Sequence, residues 1–186
     1  SVTANLPLEN WKIHYERASH IDPVAIGDTE YRNDIAFNLI REMTGSDYGR
    51  EVQDLVHRRL VGYIRSGRGK LGDDMCWVIP YSLFSNIDDG PYAMIWTTRM
   101  LLQSEADLFR LTKDETHSQL ARRLFEGLRR VANWDTGRAF YPGAHYFRDG
   151  KFAAGSYIGH YPIVISSLVP YWQNCGYLEA LEFAQA

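Results

Sequence analysis

What the sequence lacks narrows its reading before any motif is considered. It has only two cysteines, Cys76 and Cys175, too few for a disulfide framework. Neither has a partner at metal-ligand spacing, so both read as buried reduced thiols, with one long-range disulfide between them left open. No apolar run approaches the roughly 20 residues that span a bilayer, and no N-terminal stretch has the charged-then-apolar order of a signal peptide. The chain therefore reads as soluble and without a membrane partner. Because it begins SVTANL with no methionine, a removed leader or upstream region stays open, and with it a periplasmic or secreted location as much as a cytoplasmic one. Charge of one sign is missing too: 20 basic and 23 acidic residues leave a net charge of −3, and the basic ones are dispersed. That excludes the electrostatic footprint of a nucleic-acid binder.

Several catalytic signatures are absent as well. The segment SGRGKLGDD, residues 66–74, is glycine-rich, but no strand pattern precedes it and no GK[ST] follows, so it reads as a loop without a phosphate role. The six histidines show none of the spacings H-x-H, H-x-x-H or H-E-x-x-H, so neither a metal nor any other cofactor is expected. His57, beside Arg58 and Arg59, reads as a helix-surface residue. No G-x-S-x-G elbow occurs, and Ser166-Ser167 fall in an apolar helical stretch where small side chains pack.

What is present is a helical pattern with aromatic interruptions. At 45% hydrophobic and 13% aromatic, residues 1–186 can bury a substantial core as a single domain, or as a fragment of a larger one. Residues 1–28 form an irregular lead-in. Tyr31, Ile35, Leu39 and Met43 recur at spacing four and predict a helix over 29–43, buried along that stripe. Val52, Leu55, Val56, Leu60, Tyr63 and Ile64 predict a second over 47–65. MCWVIPYSLF crosses the interior as an extended or short helical piece, and a third helix follows from Pro91 to about Leu111. Thr112 with Glu115 forms a capping box that opens a fourth over 113–133, with Leu120, Leu124, Leu128 and Val131 as its apolar stripe and Arg122, Arg123, Arg129 and Arg130 outside. Asp149-Gly150 between alternating residues predicts a small β-hairpin. Ile158 or Tyr161 opens a fifth helix, which Pro170 kinks or ends, and Gly176 starts a sixth.

Three helical hairpins joined by long aromatic loops form the pattern of helical rings and solenoids. The motifs NIDDGPY, WDTGRAFYPG and SYIGHYP sit in those loops, across residues 77–172. In this series the chain resembles the (α/α)-toroid enzymes that act on carbohydrates, glucuronyl hydrolases, related glycosidases and toroid polysaccharide lyases among them. The resemblance implies an all-α helical-hairpin array, part of an (α/α)6 toroid, with a β-hairpin insertion. Six helices would make half of such a ring, completed by the rest of a longer chain or by a second copy.

Glycosidic hydrolysis needs two carboxyl groups at a defined separation. Asp88 and Asp89, between Trp77 and Trp96, are the candidate general acids. Asp73, Asp74 and Asp135 are other loop acids from which a partner could come. An acid before Gly-Pro is also a good helix N-cap, with Pro91 in the first turn. Sugar rings pack their C–H faces on aromatic rings, which makes Trp77, Tyr92, Trp96, Trp134, Tyr141, Tyr146 and Tyr161 candidate walls, with Arg138 and His160 as polar contacts. His145-Tyr146 and His160-Tyr161 offer a second chemistry, β-elimination of a uronate with His or Tyr as base and acid and Arg138 or Arg148 neutralising its carboxylate. The reading is a glycoside hydrolase acting on an oligosaccharide, one with uronic acid included. Its rivals are a polysaccharide lyase and a non-catalytic helical module that binds glycan or protein.

Overall fold

A computed structural model describes residues 28–65, 74–78, 92–141, 146–148, 151–152 and 161–186. The described residues are mostly helical. They form helices α1 (Asp28–Thr44), α2 (Arg50–Arg65), α3 (Ile95–Thr112), α4 (Glu115–Val131), α5 (Tyr161–Cys175) and α6 (Leu178–Gln185). Short turns join them in three hairpins. Gly45 and Gly176 close α1 and α5 in the left-handed conformation, at φ of 65° and 74°.

Side-chain pairs fix how the hairpins stack. Ser104 of α3 donates to Asp34 of α1, and Arg110 of α3 pairs with Glu42 of α1. The guanidinium of Arg99 donates to Ser166 and Ser167, and Asn174 donates to Asp107. Each of these pairs joins residues 67 to 70 positions apart, rising together along both partners, so α1, α3 and α5 run parallel in one layer. Their hairpin partners α2, α4 and α6 return antiparallel. Between the helices lies a core that includes Val56, Leu60, Leu101, Leu124, Phe125, Leu128, Leu168 and Tyr171.

Of the stripes expected on α2 and α4, Val52, Val56, Leu60, Ile64, Leu124, Leu128 and Val131 are buried and Leu55 and Leu120 partly so, and the four arginines of α4 are exposed. On α1 the expectation fails. Leu39 is 50% exposed and Met43 83%, while Asp34 and Asn38 are buried at 0% and 1%. The inward face of α1 is polar because it meets polar partners on α2 and α3, which the period of its apolar residues does not reveal. The fourth helix is capped by Asp114, whose carboxylate accepts from the Thr116 N–H, and Thr112 ends α3 instead. Pro170 lies inside α5, which continues to Cys175. Neither cysteine is in a disulfide; Cys76 is buried and Cys175 half-buried.

At the end where α3 and α5 begin, strands β1 (Trp77–Val78), β2 (Tyr92–Met94), β5 (Tyr146–Arg148) and β6 (Lys151–Phe152) form an antiparallel sheet in the order β1-β2-β5-β6. The pairing of Arg148 with Lys151 leaves Asp149-Gly150 as the expected two-residue loop, itself outside the described residues. A second hairpin, β3 (Asn133–Asp135) and β4 (Arg138–Phe140), was not expected. Its turn, Thr136-Gly137, has both residues at positive φ, 46° and 83°, the type I′ geometry that matches strand twist. Threonine is a rare residue at that first position, which hid the turn.

Gly127 explains how the sheet is seated. A Cβ there would run into the carbonyl oxygen of Asp74 and stand 2.8 Å from the sulfur of Met75. The chain entering β1 lies directly on α4, and Arg130 pairs with Asp74 beside it.

Candidate functional site

The most concentrated polar chemistry among the described side chains lies between the helices. One residue comes from each of four: Asp34 from α1, His57 from α2, Glu105 from α3 and His117 from α4. The Glu105 side chain has no exposed surface, nor has Asp34, while His57 and His117 are 18% and 20% exposed. The Nδ1 of His57 stands 3.2 Å from Asp34 Oδ2 and its Nε2 stands 3.2 Å from Glu105 Oε1. His117 Nδ1 lies 2.7 Å from Glu105 Oε2, and the two imidazoles meet edge to face with centroids 5.7 Å apart. A carboxylate only accepts, so a ring nitrogen bonded to one carries a proton.

A polar surround holds these groups in place. Asp34 also accepts from Ser104 and, at 3.2 Å, from the amide of Gln53. Gln53 donates in turn to Asn38 at 2.6 Å and accepts from Arg41 at 2.5 Å. Glu105 Oε1 is the exception. It is buried and makes no aligned hydrogen bond, despite its 3.2 Å approach to His57. Burial pulls the His57 pKa down, but the neighbouring carboxylates of Asp34 and Glu105 outweigh it and raise the group to about 10. For Glu105, burial pushes the pKa up, and the two histidines more than offset this, holding it below the ordinary value. Glu105 is thus an ionised carboxylate, fully buried between two imidazoles.

The assignment of His57 to the helix surface is therefore corrected: it faces inward, against Asp34 and Glu105. No spacing rule could find the set, because its members are 12 to 48 residues apart in order.

Those of the expected site residues that the structure describes lie elsewhere, at the sheet end. Asp88, Asp89, His145 and His160 fall outside the described residues. The backbone puts Trp77 in β1, Tyr92 in β2, Tyr146 in β5 and Tyr161 at the first position of α5. β2 pairs with β5 through Ala93–Phe147 and Met94–Tyr146, and with β1 through Trp77–Ala93 and Val78–Tyr92. The two aromatic stretches are thereby joined. Trp134, on β3, is 51% exposed and lies against Phe183 of α6 at 5.7 Å, and Arg138 is exposed on β4. Tyr141 is a core residue whose hydroxyl donates to Leu128 O at 2.8 Å, so the wall assigned to it is not presented to solvent. The helix-cap alternative for Asp88 and Asp89 is overturned. Helix α3 starts at Ile95 with Met94 as its cap residue, and β2 occupies the positions after Pro91.

Arg99 was missed by the sequence reading. It is buried one turn into α3, its guanidinium 4.4 Å over the Trp96 ring. No protein-family model matches the chain, and neither a curated protein nor a solved structure matches it significantly.

Proposed function

We propose that the chain is part of an (α/α)-toroid glycoside hydrolase whose site is the sheet end, acting on an oligosaccharide that contains a uronic acid. The observation that carries the reading is the pairing of β2 with β5 at the start of the parallel helices α3 and α5. It unites the Trp77–Trp96 and Asn133–Tyr161 stretches, which hold the carboxylates, aromatic residues and histidines suited to sugar chemistry. Asp89 stands three residues before Tyr92, so the covalent chain keeps it within about 10 Å of β2. Arg99, buried at the same end, supports an anionic sugar, since a guanidinium is matched to a carboxylate.

In this mechanism Asp88 or Asp89 is the general acid, giving its proton to the leaving glycosidic oxygen as the C–O bond breaks. A second carboxylate, for which Asp135 on β3 is a candidate, then acts on water or on the anomeric carbon. Trp134 and Arg138 would border the substrate. An aldouronic oligosaccharide panel tests the reading. New reducing ends should appear without ultraviolet absorbance, and Asp88→Asn with Asp89→Asn should abolish turnover while leaving the melting temperature nearly unchanged. Products that absorb as unsaturated uronates would replace hydrolysis by elimination at His145 and Tyr146. Binding without turnover would leave a glycan-binding module.

A further inference from the structure

Glu105 is difficult to account for by packing alone. A buried carboxylate stabilises a fold only when its partners satisfy it, and here one oxygen is left without an aligned donor. That oxygen, Oε1, stands 3.2 Å from His57 Nε2, while Oε2 lies 2.7 Å from His117 Nδ1. One ligand atom from each of His57, Glu105 and His117 can be chosen so that all three lie within 4.8 Å of one another.

We propose that His57, Glu105 and His117 form a binding site for a divalent transition-metal ion, zinc by donor type. Two imidazole nitrogens and one carboxylate oxygen are a borderline donor set that suits zinc better than magnesium or calcium, which take oxygen shells. Zinc bonds to these atoms run about 2.0–2.2 Å, which separates tetrahedral ligands by about 3.4 Å. The approaches of 3.2 Å and 2.7 Å from the two rings to the two oxygens of Glu105 are both shorter than that spacing, so the groups need only part slightly to admit the ion. The ion would take the place of the protons held between each ring nitrogen and Glu105. His57 would coordinate through Nε2 and keep Nδ1–H on Asp34, the carboxylate–histidine–metal arrangement that fixes a ligand's tautomer. His117 would coordinate through Nδ1, the proton displaced there passing to Nε2, while the one displaced from His57 Nε2 leaves to solvent. Both rings are part-exposed, so entry and the fourth ligand, a water, come from their side.

The site stands apart from the sheet end. Ten residues of helix separate Glu105 from the start of α3, about 15 Å. It ties α2, α3 and α4 to one ion, with α1 held through Asp34, so its role is to fasten the hairpins together. It does not depend on the glycosidase reading.

The test uses the full chain stripped with a chelator and then titrated with zinc chloride. One zinc per chain is expected, with a raised melting temperature, because an ion that binds only the folded state stabilises it. His117→Gln should remove that binding, and Asp34→Asn should weaken it by about 10–100-fold, the usual effect of losing such an orienting partner. His145→Gln and His160→Gln should bind as wild type does. X-ray absorption of the zinc-loaded wild type should show two imidazoles, other light ligands and no sulfur. This readout needs no variant and holds if His117→Gln fails to fold. The proposal is overturned if wild type binds no zinc beyond what His117→Gln binds, or if sulfur is found in the coordination shell.

Discussion

The sheet end and the helix interior present opposite solutions to carrying polar chemistry. At the sheet end the informative residues sit in loops and short strands, and Trp134 and Arg138 are open to solvent. In the interior four helices each contribute one titratable side chain to a closed set, held by Ser104, Gln53, Asn38 and Arg41. The first arrangement presents its described side chains Trp134 and Arg138 to solvent. The second admits at most an ion, and its members depend on one another, since a buried charge without its partners is costly.

Substitutions can separate the two. The largest effect is expected in the interior: Glu105→Ala leaves His57 with only Asp34 and His117 without its partner. It should lower the stability of the chelator-treated chain by about 3 kcal/mol in urea unfolding, the scale for losing one member of a buried ion pair. A loss below about 1 kcal/mol would make the interior set incidental. Next comes Gly127→Ala, which probes the seam between the regions. Alanine gains about 1 kcal/mol of helix propensity, but its Cβ must displace the backbone at Asp74. We expect a net loss of about 2 kcal/mol, since overpacking of this kind usually outweighs propensity. A neutral or stabilising result would show that the strand entering β1 yields freely. The smallest effect should be Trp134→Ala: its half-exposed ring gives up one face against Phe183, for about 1 kcal/mol or less. If it matched Glu105→Ala, the contrast between an open end and an interlocked interior would collapse.

The sequence spoke clearly where one period ruled one element. Val52, Val56, Leu60 and Ile64 repeat every four residues and are buried together, as are Leu124, Leu128 and Val131 at spacings of four and three on α4. It misled where the buried face is polar. Tyr31, Ile35, Leu39 and Met43 suggested a face for α1, yet Asp34 and Asn38 point inward, because their partners on α2 and α3 are remote in sequence. The hairpin at Asp149-Gly150 was legible in its turn chemistry; the one at Thr136-Gly137 was not, since a β-branched residue seldom takes positive φ. For the candidate sites the asymmetry is sharper. Loop aromatics and acids announce themselves locally. His57, Glu105 and His117 become a set only once three helices are packed.

The parallel layer of α1, α3 and α5 carries a consequence for how the chain collapses. Contacts within the α1–α2 hairpin close loops of 12 to 23 residues, whereas contacts along the layer close loops of 67 to 70. By loop-closure entropy the longer closure loses about 1 kcal/mol more. Each hairpin is thus the smaller step, and alignment of the layer the larger one. Helix α3 has neighbours on both sides in that layer as well as its own hairpin partner, so both of the long closures of the described fold end on it.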